Sequence, residues 1–325
     1  MNSAILVTGG AGFIGSAYVR HLLSSPAAEG AAVTVLDNLT YAGDLARLHA
    51  VRDRPGLTFV QGDVCDAPLV NTLAERHDQI VHFAAESHVD RSIADSGAFT
   101  RTNVLGTQVL LDAALRHGVR TFVHVSTDEV YGSLPQGAAK EGDPLRPTSP
   151  YAASKAASDL IALAHHHTHG LDVRVTRCSN NFGPWQHPEK LVPRFLARLL
   201  SGGTVPLYGD GRYERDWLHV DDHVRAVELV RVSGRPGEIY NIGGGTPMSN
   251  LELTHRLLAL CGAGPERIAH VENRKGHDRR YAVDHGKITG ELGYRPRTDF
   301  TAALGDTAEW YRRHADWWRP LLAPG

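Results

Sequence analysis

The sequence predicts an α/β fold in which a doubly wound, Rossmann-type parallel sheet is joined to a smaller mixed α/β domain. Short apolar runs alternate with helix-length segments, a glycine-rich turn follows the first run, and prolines and glycines punctuate the chain after about residue 180. Near-continuous apolar runs are typical of strands that are covered on both faces. Their alternation with helices indicates right-handed crossovers within one parallel sheet.

Six apolar runs in the first half of the chain predict the strands of this sheet, and a seventh run predicts a strand that returns to it. Val104, Leu111 and Leu115 recur with helical spacing, and residues 151–167 also form a pattern typical of a helix. The predicted strands are residues 4–8, 33–36, 57–60, 80–84, 121–126, 173–176 and 238–242.

Composition excludes several classes of protein. Apolar residues make up 42% of the 325 residues and charged residues 22%, which is typical of a globular chain and not of a disordered one. No apolar run approaches the roughly 18 residues of a membrane span, and no export signal is recognisable, so we expect a cytoplasmic protein. A net charge of −2 gives no indication of binding to nucleic acid or membranes. Three widely spaced cysteines indicate reduced thiols.

A glycine-rich turn follows the first predicted strand and precedes a helical segment. Gly9, Gly12 and Gly15 match the spacing of a dinucleotide-binding turn, in which the backbone approaches a diphosphate at a helix N-terminus. Asp37 lies at the end of the second strand, where a carboxylate accepts hydrogen bonds from ribose hydroxyls and repels a 2′-phosphate. The pattern therefore predicts NAD as the cofactor, in preference to NADP.

A tyrosine and a lysine lie four residues apart in the segment 151–167. Tyr151 and Lys155 share one face of the predicted helix. Because an ammonium favours the neighbouring phenolate, we expect Lys155 to lower the pKa of Tyr151, so that the phenol acts as a base toward a sugar hydroxyl. Taken alone, the pair would be better explained as part of a solvent-facing helical surface.

Three polar residues stand at the end of the strand 121–126. Thr127, Asp128 and Glu129 come where open α/β sheets bind their ligands. Two adjacent carboxyl groups are costly to bury unless they meet solvent or substrate. We therefore expect a hydroxyl that binds a sugar, together with an acid and a base in one cleft. The alternative is an ordinary polar surface loop.

These motifs carry a family resemblance that extends over nearly the whole chain. The glycine turn and the Tyr151–Lys155 pair resemble the extended short-chain dehydrogenase/reductase family, and residues 126–132 (STDEVYG) resemble its nucleotide-sugar 4,6-dehydratases. The other segments that resemble them are AAESHVDRSI at 84–93, YAASK at 151–155, RCSNNFGP at 177–184, HPEKL at 187–191, LYGDG at 207–211, RDWLH at 215–219 and KGHD at 275–278.

The resemblance implies a dehydration in which NAD is reduced and reoxidised in each turnover. It implies that Tyr151 takes the proton of the sugar 4-hydroxyl, Glu129 removes the C5 proton, and Asp128 protonates the departing 6-hydroxyl. It also implies that Thr127 binds the 4-hydroxyl and Lys155 the nicotinamide ribose. The implied substrate is a hexose on a nucleoside diphosphate, most closely thymidine diphosphate, and the product is a 4-keto-6-deoxy sugar.

The resemblance also implies two sets of binding residues and a homodimer formed through residues 104–115 and 151–167. The implied NAD set adds Tyr151, Lys155 and Asn181 to Gly9, Gly12, Phe13, Ile14, Gly15, Asp37, Asn38, Leu39, Thr40, Asp63, Val64, Phe83, Ala84, Ala85 and Thr102. The implied substrate set is Ser87, Thr127, Asn180, Lys190, Leu191, Pro206, Tyr208, Arg215, Asn250, Arg274 and His277. We expect residues 1–179, with about 216–242, to form the NAD-binding domain and residues 180–325 mainly the nucleotide-sugar domain.

Other functions remain open at this point. A nucleotide-sugar 4-epimerase or a UDP-sugar dehydratase would use the same scaffold, and an NAD-binding sensor would need no catalytic groups. An epimerase needs no acid and base for elimination, so the Asp128–Glu129 pair favours a dehydratase. The sequence does not indicate whether the product is used for an antibiotic deoxysugar or for a surface glycan. The histidines at 165–169 lack an acidic partner in the sequence pattern, and we expect no metal there.

Overall fold

The structure is a computed structural model that describes residues 3–24 and 30–322. The centre of the fold is a seven-stranded parallel sheet. Its strands are β1 (Ala4–Thr8), β2 (Ala32–Asp37), β3 (Leu57–Gln61), β4 (Gln79–His82), β5 (Thr121–Thr127), β6 (Val173–Cys178) and β10 (Ile239–Ile242). The strand order is β10-β6-β5-β4-β1-β2-β3. The predicted doubly wound α/β fold is confirmed, including the late strand that returns to the edge beside β6.

Helices cover both faces of the sheet because each strand presents apolar side chains on both sides. The helices are α1 (Phe13–Ser24), α2 (Ala67–Ala74), α3 (Val89–Ala94), α4 (Ser96–Phe99), α5 (Gly106–His117), α6 (Pro150–His169), α7 (Leu191–Leu200), α8 (Val220–Ser233), α9 (Asn250–Leu260), α10 (Gly286–Leu292), α11 (Phe300–Arg313) and α12 (Ala315–Trp318). One core contains Tyr18 of α1, Val224 of α8 and Ile288 of α10, and the other contains Val70 of α2 and Leu110 of α5.

The later part of the chain forms smaller sheets over the carboxyl ends of the parallel strands. Its strands are β7 (Asn180–Phe182), β8 (Val205–Tyr208), β9 (Glu214–His219), β11 (Pro247–Ser249) and β12 (Ile268–Val271). They form a three-stranded sheet in the order β11-β9-β7 and a two-stranded sheet of β8 and β12. A separate apolar core lies between α7, α9 and α11. The division of the chain into domains stays a prediction.

Of the predicted strands only 4–8 has the predicted boundaries, and the others differ by one or two residues at one or both ends. One of these differences has a clear structural cause. The strand predicted at 80–84 ends at His82, because its neighbour β1 ends at Thr8, where the chain turns into the glycine loop. The helix predicted around 104–115 begins with a π-helical turn at Thr100–Leu105 and continues as α5. Across the described residues, none of the helices combines the length and apolar character needed to cross a membrane.

Candidate active site

A cleft made of three adjoining pockets lies along the carboxyl ends of the parallel strands. All five predicted catalytic residues line the central pocket. The pocket on one side, which we call the Asp37 pocket, shares Ala42 and Phe83 with the central pocket. The pocket on the other side, the Arg215 pocket, shares Lys190 with it. The three pockets therefore form one continuous cleft.

The glycine turn is shaped so that a diphosphate can approach its backbone. Gly9 has a φ of +70°, and a Cβ atom there would lie 2.5 Å from the backbone nitrogen of Ala84. A Cβ atom on Gly15 would lie 2.2 Å from the carbonyl oxygen of Gly9. Helix α1 begins directly afterwards at Phe13, so its N-terminus faces the turn. The turn can adopt this conformation only because glycine occupies these positions. Its residues fit the diphosphate of a dinucleotide.

The side chain of Asp37 is held in place by the backbone around the Asp37 pocket. Its Oδ2 accepts a hydrogen bond from the Ala11 nitrogen and its Oδ1 one from the Leu39 nitrogen, both at 2.9 Å. A fixed carboxylate at this position fits a ribose diol and opposes a 2′-phosphate. The structure therefore agrees with a site for NAD.

The other predicted cofactor residues line the same two pockets, with one exception. Leu39 lines none of the three pockets. Its backbone nitrogen donates a hydrogen bond to Asp37. The central pocket is lined by Gly9, Gly12, Phe13, Ile14, Gly15, Phe83, Ala85, Tyr151, Lys155 and Asn181. The Asp37 pocket is lined by Asp37, Asn38, Thr40, Asp63, Val64, Phe83, Ala84, Ala85 and Thr102.

Two acidic side chains stand where β5 ends. Strand β5 ends at Thr127, whose side chain accepts a hydrogen bond from the Glu129 nitrogen and so begins the 3₁₀ turn Asp128–Tyr131. Burial and then the charge of Glu129 raise the pKa of Asp128 well above its usual value. Burial also raises the pKa of Glu129, but Arg274, Arg215 and Lys190 oppose that shift. Of the two carboxyl groups, the arrangement makes Asp128 the one that more readily holds a proton.

Helix α6 places Tyr151 and Lys155 in the central pocket. It begins at Pro150, with the Ser149 side chain accepting a hydrogen bond from the Ala152 nitrogen. Tyr151 is one residue beyond the start, so Lys155 follows one turn later on the same face. Both side chains are buried, and neither is part of a solvent-facing helical surface.

The prediction that Lys155 lowers the pKa of Tyr151 is wrong for the protein without its ligands. Burial, followed by the charge of Glu129, raises the pKa of Tyr151 well above 10 instead of lowering it. The ammonium of Lys155 donates to the carbonyl of Val125 at 2.9 Å, and its own pKa is lowered by burial to about 8. Desolvation of the phenol depends on tertiary packing, which the four-residue spacing does not reveal.

Positive groups converge on the Arg215 pocket. Lys190 donates to the carbonyl of Ser87 at 2.6 Å, and Arg274 lies 3.6 Å from Asp90. Arginine forks are suited to the oxygens of a diphosphate. Apart from Thr127, which lines the central pocket, the whole predicted substrate set lines this pocket. These residues are Ser87, Asn180, Lys190, Leu191, Pro206, Tyr208, Arg215, Asn250, Arg274 and His277.

Sequence reasoning did not single out Tyr281 and Glu189, which line this part of the cleft, or Asp278, which lies beside Tyr281. The Arg215 guanidinium lies 4.3 Å from the ring centroid of Tyr281, and the Tyr281 hydroxyl donates to Asp278 at 2.5 Å. Glu189 lines both the central and the Arg215 pocket and accepts a hydrogen bond from Tyr41 at 3.1 Å. Asp278 and Glu189 stand within motifs quoted above, whereas no sequence signal distinguishes Tyr281 from an ordinary core tyrosine.

The expectation that the histidine cluster at the end of α6 has no acidic partner is wrong, because Asp112 of α5 lies beside His165. His165 contacts the Ile161 carbonyl at 3.0 Å and Asp112 at 3.2 Å, and its ring lies 5.7 Å from that of His169. Within residues 3–24 and 30–322, no group of three or more histidine, cysteine or acidic side chains is arranged to hold a metal ion.

Together the fold and the cleft define a Rossmann-type enzyme with a dinucleotide site beside an anion-binding pocket. The model of the GDP-mannose 4,6 dehydratase family matches residues 6–307, and the chain belongs to this family. The dTDP-glucose 4,6-dehydratase of Streptomyces antibioticus is 61% identical over 323 residues, which are 98% of this chain and 95% of that protein. The predicted resemblance to nucleotide-sugar 4,6-dehydratases is confirmed.

Solved structures show the same similarity. A dTDP-glucose 4,6-dehydratase from Streptomyces venezuelae, with NAD and TYD bound, matches with a TM-score of 0.96 and 57% identity, covering 98% of this chain and 99% of its own. A UDP-glucose 4-epimerase from Thermotoga maritima, with UDP-glucose, matches with a TM-score of 0.88 and 31% identity, covering 96% and 99%. The chain is thus more similar to the dehydratase than to this epimerase.

Proposed function

We propose that this protein dehydrates dTDP-glucose to the 4-keto-6-deoxy sugar, with NAD as a cofactor that is regenerated in each turnover. The observation that carries the proposal is the Asp128–Glu129 pair, of which Asp128 is buried and Glu129 partly exposed, in one pocket with Tyr151 and Lys155. Elimination of water needs a base at C5 and an acid at the 6-hydroxyl. The similarity to dTDP-glucose 4,6-dehydratases supports the same conclusion.

The first role of the chain is to bind and deprotonate the sugar 4-hydroxyl. Thr127 binds this hydroxyl and Tyr151 takes its proton, while Lys155 holds the ribose beside the nicotinamide. When bound, NAD supplies the acceptor and later donor of one hydride, and its positive ring favours the phenolate of Tyr151. The glycine turn and Asp37 hold the diphosphate and the adenosine ribose.

The second role of the chain is elimination. The ketone at C4 acidifies the C5 proton, which Glu129 removes. The C6–O bond then breaks as Asp128 delivers its proton to the departing hydroxyl, so that one water leaves. The hydride taken from C4 returns to C6 and a proton returns to C5, and the reaction has no net oxidation or reduction.

The Arg215 pocket binds the nucleoside diphosphate. Arg215, Arg274 and Lys190 supply positive charge for its phosphates, and Pro206 and Tyr208 supply flat or apolar surface for the base. The remaining residues of the predicted substrate set surround these groups. An epimerase would bind the same part of the substrate, but it would have no use for the acid–base pair.

Incubation with dTDP-glucose, followed by product identification by mass spectrometry and NMR, tests the proposal. We expect a 4-keto-6-deoxy product that has lost one water. Recovery of dTDP-galactose would identify an epimerase, faster turnover of UDP-glucose a UDP-sugar dehydratase, and binding without turnover a sensor. Each of these outcomes would contradict the proposal. Glu129→Gln should retain NAD and stop elimination.

We also propose a cytoplasmic homodimer. Leu105 before α5, Leu115 on α5 and Leu160 on α6 expose 46%, 39% and 59% of their surface, although these helices lie together on the sheet. A second copy would cover this apolar surface. The cysteines Cys65, Cys178 and Cys261 are free, which is consistent with a reducing compartment. Sedimentation as a monomer would contradict the dimer.

A further inference from the structure

Residues 41–48, which we call the strap, form part of the wall of the dinucleotide cleft. Ala42 lines both the central and the Asp37 pocket, and Arg47 lines the central pocket. The Asp44 nitrogen donates to the carbonyl of Ala11 in the glycine turn at 3.0 Å, and a 3₁₀ helix follows at Leu45–Leu48. A bound dinucleotide would therefore lie against the strap.

Arg47 fastens the strap to two other segments of the chain. Its side chain is 2% exposed and donates to the carbonyls of Ala11, Ala42 and Trp185, at 3.0 Å for the first and last of these. These carbonyls belong to the glycine turn, the strap and the segment after β7. Displacing the strap would break the bonds from the guanidinium to the carbonyls of Ala11 and Trp185, which is costly.

Trp317 on α12 also contacts the strap, through Asp44 and Arg47. Its indole nitrogen donates to Oδ2 of Asp44 at 2.6 Å, and the Arg47 guanidinium lies 5.3 Å from its ring centroid. The Trp317 ring also packs against Trp185, with centroids 5.1 Å apart. The other carboxylate oxygen of Asp44 accepts from the Ala46 nitrogen at 2.8 Å and begins the 3₁₀ helix. One aspartate therefore joins the C-terminal helix to the start of the strap's own helix.

We propose that Arg47 and Trp317 are positioning residues that hold the strap against the bound dinucleotide and set how slowly NAD leaves the protein. The proposal rests on the use of NAD proposed above. That reaction needs the same dinucleotide in both of its halves, so release between them would abort a turnover. Dissociation requires the wall of the cleft to open, and the charge-assisted bonds at Asp44 and the carbonyl bonds of Arg47 oppose this opening.

A pair of tryptophan variants tests the proposal. Trp317→Phe keeps an aromatic ring but removes the bond to Asp44. Trp318→Phe is the matched control, since the Trp318 indole donates at 2.6 Å to the carbonyl of Tyr311 instead of to the strap. NAD that remains on the protein during timed gel filtration is quantified by chromatography. We expect Trp317→Phe to lose NAD about tenfold faster, equivalent to about 1.4 kcal/mol, and Trp318→Phe to match the wild type.

Turnover and a second variant separate retention from general damage. With NAD in excess, Trp317→Phe should turn over dTDP-glucose within about twofold of the wild-type kcat. Arg47→Lys keeps the positive charge but lacks the guanidinium fork that contacts three carbonyls, so this variant should also release NAD faster. Thermal unfolding of each variant is measured to detect general damage to the fold.

Two outcomes would overturn the role of the strap alone: NAD retained equally by all variants, or lost equally by Trp317→Phe and Trp318→Phe. A wild-type protein that neither carries nor takes up NAD would overturn the proposed function and the role of the strap together. If the wild type holds NAD but does not catalyse the proposed reaction, the proposed function is overturned. The rates of NAD release from the variants would then still decide the role of the strap. The two failures are therefore distinguishable.

Discussion

Replacing Asp128 with asparagine separates its catalytic role from its effect on folding. The asparagine amide has nearly the shape of the protonated carboxyl group but delivers no proton to a departing hydroxyl. General acid catalysis contributes about 10²- to 10⁴-fold to a rate. We therefore expect kcat for dehydration of dTDP-glucose to fall by about that factor, which corresponds to about 2.7 to 5.4 kcal/mol in the barrier.

The same substitution should not destabilise the fold at neutral pH. Burial, and then Glu129, raise the folded-state pKa of Asp128 above that of the unfolded chain. Between those two pKa values the folded state holds a proton that the unfolded chain has lost, so stability decreases as the pH rises. Each unit of that difference costs about 1.4 kcal/mol. A neutral amide in place of this carboxyl group carries no such cost, so we expect Asp128→Asn to be at least as stable as the wild type at pH 7.

The assay follows product by mass spectrometry, exchange of the C5 hydrogen in heavy water by NMR, and unfolding in urea. C5 exchange should survive the substitution, because Glu129 is intact. Asp210→Asn, on an exposed loop, is the control and should leave turnover unchanged. If Asp128→Asn kept more than about a third of wild-type turnover, the assignment of the acid would be wrong. A clear loss of stability at pH 7 would refute the electrostatic reasoning.

Three further predictions follow from the geometry of the cleft. Gly9→Ala places a methyl group 2.5 Å from the Ala84 nitrogen at a φ of +70°, so the purified variant should carry little NAD when its nucleotide content is measured. Arg215→Lys removes the fork and its stacking on Tyr281, and the KM for dTDP-glucose should rise about tenfold with a smaller change in kcat. Because burial lowers the pKa of Lys155 to about 8 in the protein without substrate, kcat/KM should decrease as the pH rises through that value, and a flat profile well above it would contradict the role of its charge.

Local patterns in the sequence were sufficient for the parts of the site that one segment builds. The glycine turn with Asp37 follows from strand, turn and helix in series, and the Asp128–Glu129 pair follows from two acids placed directly after a buried strand. Parallel strands end at the same edge of a sheet, so their terminal residues meet in one cleft. For these residues, spacing and topology together determine the position.

Contacts between distant segments were not predictable in the same way. Arg47 contacts Trp185, and Trp317 contacts Asp44, across 138 and 273 residues of sequence. No local period relates such residues. The error over Tyr151 has the same origin, since the pKa of a phenol depends on how completely other segments exclude water from it. Burial by the assembled fold outweighs the effect of a lysine one helical turn away.

The net charge of −2 gave no indication of a ligand because the cleft gathers charges of both signs. Arg215, Arg274 and Lys190 counteract the rise in the pKa of Glu129 while the Arg215 pocket holds no anion. A diphosphate bound there would neutralise part of that positive charge, and the pKa of both Glu129 and Asp128 would then rise further. Substrate binding would thereby make Glu129 a stronger base and keep the proton on Asp128. The cations that recognise the nucleotide thus also tune the acid and base that act on its sugar.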